Sequence, residues 1–163
     1  MRTASGVALS LEKPKPYRAI FWGGLIAGTM DLTAACVHAG TRGMGPTRVF
    51  QAVASGLLGK TASDGGFAID ALGVLCHFLI ATGATAVYFA ASRRLHWLVK
   101  HAVICGPLYG VAVFYFMRLV VLPLSAITFK PSNDPSVVLI GILIHMFCIG
   151  LPISLVIRKF SKN

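Results

Sequence analysis

The chain has 163 residues, enough for one domain, and 56% of them are hydrophobic while only 12% are charged. Soluble domains carry about 25% charged residues, so this composition excludes an ordinary water-soluble fold. The formal net charge of +10 would suit nucleic-acid binding, yet the chain has no nucleic-acid motif and its basic residues gather between apolar runs. We therefore predict one membrane domain over residues 1–163, with membrane lipids as partners and no nucleic acid.

Four apolar runs are long enough to cross a bilayer, which requires about 20 residues in a helix. A basic tail over residues 1–18 precedes the first run. The last loop contains Pro123, Pro131 and Pro135, where a helix has to stop. The prediction is an all-α fold, a polytopic four-transmembrane-helix bundle. Its spans cover about residues 19–40, 67–91, 99–122 and 136–157.

A shorter segment lies between the first two spans. Residues 46–59 (PTRVFQAVASGLLG) are too few to cross, but Val49, Phe50, Val53 and Leu57 recur at helical spacing. The pattern predicts a short amphipathic helix. Two interpretations stay open at this point: a helix lying on the membrane surface, or a loop helix packed against the bundle.

Lysine and arginine are distributed unevenly between the two ends of the predicted bundle. The tail, the loop between the second and third spans and the C-terminal segment together carry ten of them. The other end carries Arg42, Arg48, Lys60 and Lys130 only. Since basic residues accumulate on the cytoplasmic side, we predict that both termini are cytoplasmic.

Small residues mark the predicted contact faces of the spans. Membrane helices associate through close approach of their backbones, which small residues at four-residue spacing permit. Such positions occur in all four spans and predict helix packing at Gly24, Gly28, Gly73, Gly106, Gly110 and Gly141.

Ionisable residues within the spans form the candidate site. An unpaired charge inside a bilayer costs several kcal/mol, so such residues are expected to find partners. At about 1.5 Å rise per residue, several of them come to compatible depths in the half of the bundle opposite the termini. We expect Asp31 and Arg118 to meet, directly or through water. The full predicted cluster, a candidate binding or proton site, is Asp31, Asp70, His77, Arg118 and His145.

Two other interpretations compete with a functional cluster. The polar side chains would be purely structural if they only bond across helices, each contributing about 0.6 kcal/mol, and Arg118 would then extend to the headgroups. A haem or metal site would use His77, His145 and Cys148, but no HExxH, CxxC or paired-histidine haem pattern accompanies them. We therefore predict no cofactor. Because no catalytic motif is present either, we expect a protein that is not an enzyme.

The chain resembles a family of small four-span bacterial inner-membrane proteins in the runs RVFQAVASGLLGK, ALGVLCHFLIATGATAVYFAASRRL and GPLYGVAVFYFMRLVVLPLSA. It is similar, more remotely, to YagU-like membrane proteins. The shared features are a GLIAG opening, a histidine in the second span, a Pro-Leu turn, a histidine in the last span and a closing Ile-Arg pair. Here they are Gly24–Gly28, His77, Pro123-Leu124, His145 and Ile157-Arg158. The resemblance implies a bacterial inner membrane and carries no agreed activity.

Two functions remain as predictions. The first is a non-enzymatic membrane protein that binds a lipid, a quinone or a protein partner. The alternative is transport of protons or a small solute through Asp31, His77, Arg118 and His145. Four helices enclose little space, so transport would favour a homo-oligomer such as a dimer.

Overall fold

The computed structural model describes residues 16–161, and the account below concerns that part of the chain. It contains six helices and no strand within these residues, which confirms the predicted all-α fold. Two helices are short, α2 (Pro46–Leu58) and α4 (His96–Lys100). The other four are long and apolar enough to cross a membrane: α1 (Pro16–Thr41), α3 (Phe67–Arg94), α5 (Ala102–Leu124) and α6 (Pro135–Ser161). The chain is thus a multi-pass membrane protein by the length and composition of its helices.

The spans differ from the predicted ones mainly at their ends. Helix α1 begins at Pro16, inside the predicted tail, of which residues 1–15 lie outside the described part. The third span starts at Ala102 rather than near residue 99, because the backbone leaves the helical conformation at His101. It ends at Leu124 and so includes Pro123 in its last turn.

Two of the long helices widen into a π-helical turn just before a proline. In α5 the turn is Met117–Val121, before Pro123, and in α6 it is His145–Gly150, before Pro152. A proline ring clashes with the carbonyl four residues earlier, and a wider turn relieves that clash. The π turn in α6 begins at His145, so it sets the direction of a predicted site residue.

The bundle has two distinct ends. The start of α1, the end of α6 and helix α4 lie at one end, which we call the terminal end. Helix α2, a 3-10 turn over Gly59–Asp64 and loop 125–134 lie at the other, the loop end. The turn into α3 needs positive φ angles, 73° at Gly65 and 102° at Gly66, which only glycine adopts without strain.

The main helix contacts are α1 with α3, α5 with α6, and α1 with α6. Glycines allow close approach of the backbones in the first two of these helix pairs. At all six predicted packing glycines, an added Cβ would lie within 3.0 Å of an atom of a neighbouring element. At Gly73 that atom is the Phe50 carbonyl oxygen, and at Gly110 it is the His145 carbonyl oxygen. The backbone of α2 therefore rests on α3, and the backbone of α5 rests on the π turn of α6.

Helix α2 is packed into the bundle, which favours the second of the two interpretations left open for it. Ala54 and Ser55 are buried, and the Ala126 amide donates to the Gly56 carbonyl at 2.9 Å. Leu57, predicted on the apolar face, is instead 67% exposed. Helix α2 and loop 125–134 together cover the loop end.

The terminal half of the bundle is tightly packed. Tyr88, Ile153 and Ile157 are at most 1% exposed. The Tyr109 hydroxyl donates to the Ala84 carbonyl at 2.7 Å and thereby joins α5 to α3, while the Ser154 hydroxyl donates to the Ala102 carbonyl at 2.9 Å. Large apolar side chains are exposed around the outside, as expected of a surface covered by hydrocarbon.

Candidate functional site

Three of the five predicted cluster residues meet in the loop half of the bundle. Asp31 on α1 is buried, at 8% exposed, and lies between two histidines. Its Oδ2 is 3.9 Å from Nε2 of His77 on α3, and its Oδ1 is 4.0 Å from Nδ1 of His145 on α6. Both distances exceed a hydrogen bond. The carboxylate is thus flanked by two imidazoles without being bonded to either.

Backbone carbonyls hold the two histidines in place. Nε2 of His77 lies 2.9 Å from the Gly28 carbonyl oxygen, and Nδ1 of His145 lies 2.9 Å from the Gly141 carbonyl oxygen. A carbonyl only accepts, so these contacts assign a proton to each of those nitrogens. In the neutral rings, the opposite nitrogens, Nδ1 of His77 and Nε2 of His145, are therefore acceptors.

The site also contains a buried acceptor with no partner. Oδ1 of Asp31 is inaccessible to solvent and has no hydrogen-bond partner among residues 16–161. Leaving such a group unsatisfied costs about 1–3 kcal/mol, and more when it is charged. The cluster as a whole offers acceptors, and this makes a donor group the natural complement.

A cavity of about 280 Å³ adjoins the cluster, and we call it the α3–α5 cavity. Asp31, His77 and His145 line it together with apolar side chains of α2, α3, α5 and loop 125–134. It lies between α3 and α5, which make little direct contact apart from the Tyr109–Ala84 hydrogen bond. Its rim includes exposed Ile80 and Phe129, so an apolar surface leads into it.

A second cavity of about 300 Å³ lies on the other side of the cluster, between α1, α5 and α6. We call it the α1–α6 cavity. Asp31 and His145 line both cavities, and His38 and Arg118 line the second one only. The Phe114 ring packs edge-on against His145, with centroids 5.3 Å apart, and also lines this cavity. Asp31 and His145 thus form part of the wall between the two cavities.

Arg118 does not form the predicted direct ion pair with Asp31. No nitrogen of Arg118 comes within 4.0 Å of that carboxylate in residues 16–161. Its guanidinium instead donates to the Ser132 carbonyl at 2.8 Å and to the Asn133 side chain. Loop 125–134 folds back and provides these acceptors, so Arg118 closes the loop end. A water-bridged contact across the α1–α6 cavity stays a prediction.

Asp70 is also separate from the cluster. Gln51 of α2 donates to its carboxylate at 3.4 Å, a long hydrogen bond that links α2 to the start of α3. Seven residues of helix separate Asp70 from His77, an axial distance of roughly 10 Å at 1.5 Å per residue. Asp70 therefore connects the loop-end cover to α3 and does not line the α3–α5 cavity.

The groups that position the histidines are not predictable from the sequence. The Gly28 and Gly141 carbonyls and the Phe114 ring make the contacts described above. Gly28 and Gly141 were marked by their small-residue spacing, which predicts close helix contact but says nothing of the carbonyl beside it. Phe114 carries no sequence signal that distinguishes it from a lipid-facing residue.

The sequence offers His77, His145 and Cys148 as candidate metal ligands. Among residues 16–161 no group of three or more His, Cys, Asp and Glu side chains is arranged to hold a metal ion. The two histidine nitrogens nearest to Asp31 are the ones that contact carbonyls, so they carry protons and are not free to ligate.

Comparison with known proteins does not assign the chain to a family. No protein-family model, curated protein or solved structure matches the chain. The resemblance to YagU-like and related four-span proteins therefore stays a prediction.

Proposed function

We propose that this protein is a non-enzymatic membrane protein that binds an amphiphilic ligand, a lipid or the reduced (quinol) form of a quinone, in the α3–α5 cavity. The observation that carries the proposal is the position of the Asp31–His77–His145 cluster in the wall of an otherwise apolar cavity. Ligand sites commonly combine apolar walls with a few convergent polar groups. This combination suits a molecule that is apolar except for one polar group.

The size of the cavity limits which part of the ligand it holds. At about 280 Å³ it lies at the lower limit of ligand sites, which measure roughly 300–1,000 Å³. It therefore accommodates a ring or head group. The apolar tail would leave past exposed Ile80 and Phe129 and continue along the lipid-facing surface between α3 and α5.

The hydrogen-bonding pattern specifies the polar group further. In the neutral form each histidine has one acceptor nitrogen, and the Asp31 carboxylate has Oδ2, which is not buried as Oδ1 is, so the ligand group that fits is a donor. A hydroxyl meets this requirement, as in a quinol or in a lipid with a hydroxylated head group. A hydroxyl bonded to a carboxylate is a charge-assisted hydrogen bond, about twice as strong as a neutral one.

Filling the cavity tests this proposal. Val53→Phe places a larger side chain from α2 into the cavity, since Val53 is half-buried and lines it. We expect native mass spectrometry of protein released from gentle detergent to show a retained lipid or quinol mass on the wild type. The variant should retain it at least about tenfold less, because the steric block removes more than 1.4 kcal/mol of binding.

Val87→Phe is the matched control. It makes the same change on α3 at a position that is 61% exposed and does not line the cavity. We expect it to keep the bound mass. Equal retention by the wild type and both variants would contradict binding in this cavity.

The proposed orientation places both termini in the cytoplasm of a bacterium, in its inner membrane. The uneven distribution of lysine and arginine supports it, with ten at the terminal end and four at the loop end of the sequence. We expect a cysteine introduced at exposed Ser63, in the loop-end turn, to react with a membrane-impermeant maleimide in intact cells. A cysteine introduced at exposed Ser161 should react only after lysis. The opposite labelling pattern would show that the termini lie outside the cytoplasm and would contradict this orientation.

A second candidate function is movement of protons or a small solute, in a homo-oligomer. The observation that favours it is that Asp31 and His145 line both cavities, so the cluster is accessible from two sides. Both cavities, however, lie in the loop half, and the terminal half is closed by Tyr88, Ile153 and Ile157. Transport would require this packing to open, whereas binding requires no rearrangement. For this reason we favour binding.

A further inference from the structure

A third cavity, of about 460 Å³, lies at the terminal end and is separate from the candidate site. It is formed where the end of α3, helix α4 and the end of α6 meet. We call it the basic pocket. Three of its side chains, Arg93, Lys100 and Arg158, are permanent cations. The complete lining is Ser92, Arg93, His96, Val99, Lys100, Arg158 and Ser161.

Charge in the described part of the chain is separated between the two ends. Its only carboxylate side chains belong to Asp31, Asp64, Asp70 and Asp134, all in the loop half or at the loop end. Within residues 16–161 no carboxylate therefore lies near the basic pocket to neutralise Arg93, Lys100 or Arg158. Cations concentrated in one concave site create a positive potential that attracts an anion.

The donors in the pocket are the basic groups. The Ser92 and Ser161 hydroxyls donate to the carbonyls of Phe89 and Ile157, at 2.7 and 2.8 Å. These two hydroxyl protons are therefore not available to a ligand. Arg93 and Arg158 supply forked guanidinium donors, which match the oxygens of a phosphate, and Lys100 adds a third positive charge.

The surroundings of the pocket place it at the level of lipid headgroups. Helix α4 is a single short turn across the end of the bundle, and its Trp97 is 53% exposed. Tryptophan concentrates at the interface between hydrocarbon and water. Exposed Leu95 adjoins it, at 47%. The mouth of the pocket is therefore bordered by an apolar surface as well as by water.

We propose that the basic pocket binds the phosphate group of an anionic phospholipid or of a soluble phosphate compound. Basic pockets between spans at a membrane face are a recurrent site for acidic headgroups. The volume and the three permanent cations suit one phosphate with part of its substituent. This site is independent of the amphiphile proposed for the α3–α5 cavity, since the two share no lining residue.

Two arms of one experiment test the proposal on the full-length protein. In the first, native mass spectrometry compares adducts of phosphatidylglycerol and of phosphatidylcholine with the same acyl chains. In the second, the thermal midpoint is measured with and without millimolar inorganic phosphate at constant ionic strength. Both arms use the wild type, Arg93→Gln/Arg158→Gln, and the matched control Arg42→Gln/Arg48→Gln, whose two arginines are exposed at the loop end.

A phospholipid ligand predicts a preference for phosphatidylglycerol that falls roughly 20-fold in the pocket variant, about fivefold for each arginine near the surface. The control should change less than twofold. A soluble ligand predicts instead that phosphate raises the midpoint of the wild type and the control but not of the pocket variant. If the double variant does not fold, exposed Lys100→Gln replaces it, with about a fivefold effect expected. Equal behaviour of pocket and control variants in both arms would overturn the proposal.

Discussion

Gly110→Ala is expected to lower the free energy of unfolding by about 1–3 kcal/mol, the usual cost of overpacking a tight contact. The added Cβ would lie within 3.0 Å of the His145 carbonyl oxygen and of the Met146 backbone. These are backbone atoms, so no side-chain rotation relieves the clash and α5 has to move away from α6. The thermal midpoint in detergent, followed by circular dichroism, measures the effect.

Gly83→Ala provides the matched control for that substitution. Gly83 lies within α3, is exposed, and has no atom within 4 Å of an added Cβ. Alanine is favoured over glycine in a helix by roughly 0.5–1 kcal/mol, so this variant should be as stable as the wild type or slightly more stable. A Gly110→Ala protein with an unchanged midpoint would show that α5 and α6 are not packed as described.

The contact at Gly110 also links packing to the candidate site. His145 begins the π turn of α6, and its ring lies 4.0 Å from Asp31. Displacing the His145 backbone would therefore move one of the two imidazoles that flank the carboxylate. We expect Gly110→Ala to weaken ligand retention as well, whereas Gly83→Ala should leave it unchanged.

Depth in the membrane was the part of the site that sequence could predict. A fixed rise per residue places Asp31, His77 and His145 at similar heights once the spans are known, and the structure brings these three together. The spans themselves are predictable because each is a run of about 20 apolar residues, which is the length of a helix that crosses a bilayer.

Rotation about the helix axis was the part that sequence could not predict. Arg118 has a suitable depth, but it lies within the π turn Met117–Val121, where an additional residue per turn changes the direction of the side chains. The position of its partners Ser132 and Asn133 depends on how loop 125–134 folds back. Asp70 likewise bonds to Gln51 because α2 lies against α3, a tertiary contact with no signature in the periodicity of either helix.

Asp31→Asn is the second substitution with a large expected effect. It retains the shape of the side chain and removes the charge that a ligand hydroxyl would bond. The amide oxygen of asparagine still accepts a hydrogen bond, so the variant loses only the contribution of the charge, about 1–1.5 kcal/mol. We therefore expect the retained ligand to decrease about five- to tenfold in native mass spectrometry. Arg118 bonds to Ser132 and Asn133 and not to Asp31, so neutralising Asp31 leaves Arg118 with its partners, and the fold should persist.

Asp64→Asn is the control for Asp31→Asn, since it removes the same charge from an exposed position in the loop-end turn. It should retain both the fold and the ligand. Unfolding of Asp31→Asn alone would instead assign the carboxylate a structural role between His77 and His145.

The same variant distinguishes binding from proton movement. Proton movement would be favoured if the wild type dissipates a pH gradient in liposomes, and a folded Asp31→Asn protein keeps its ligand but no longer dissipates the gradient. The two functions therefore predict different results for one substitution, because binding depends on the negative charge of the acceptor at Asp31 and transport depends on a group that exchanges its proton.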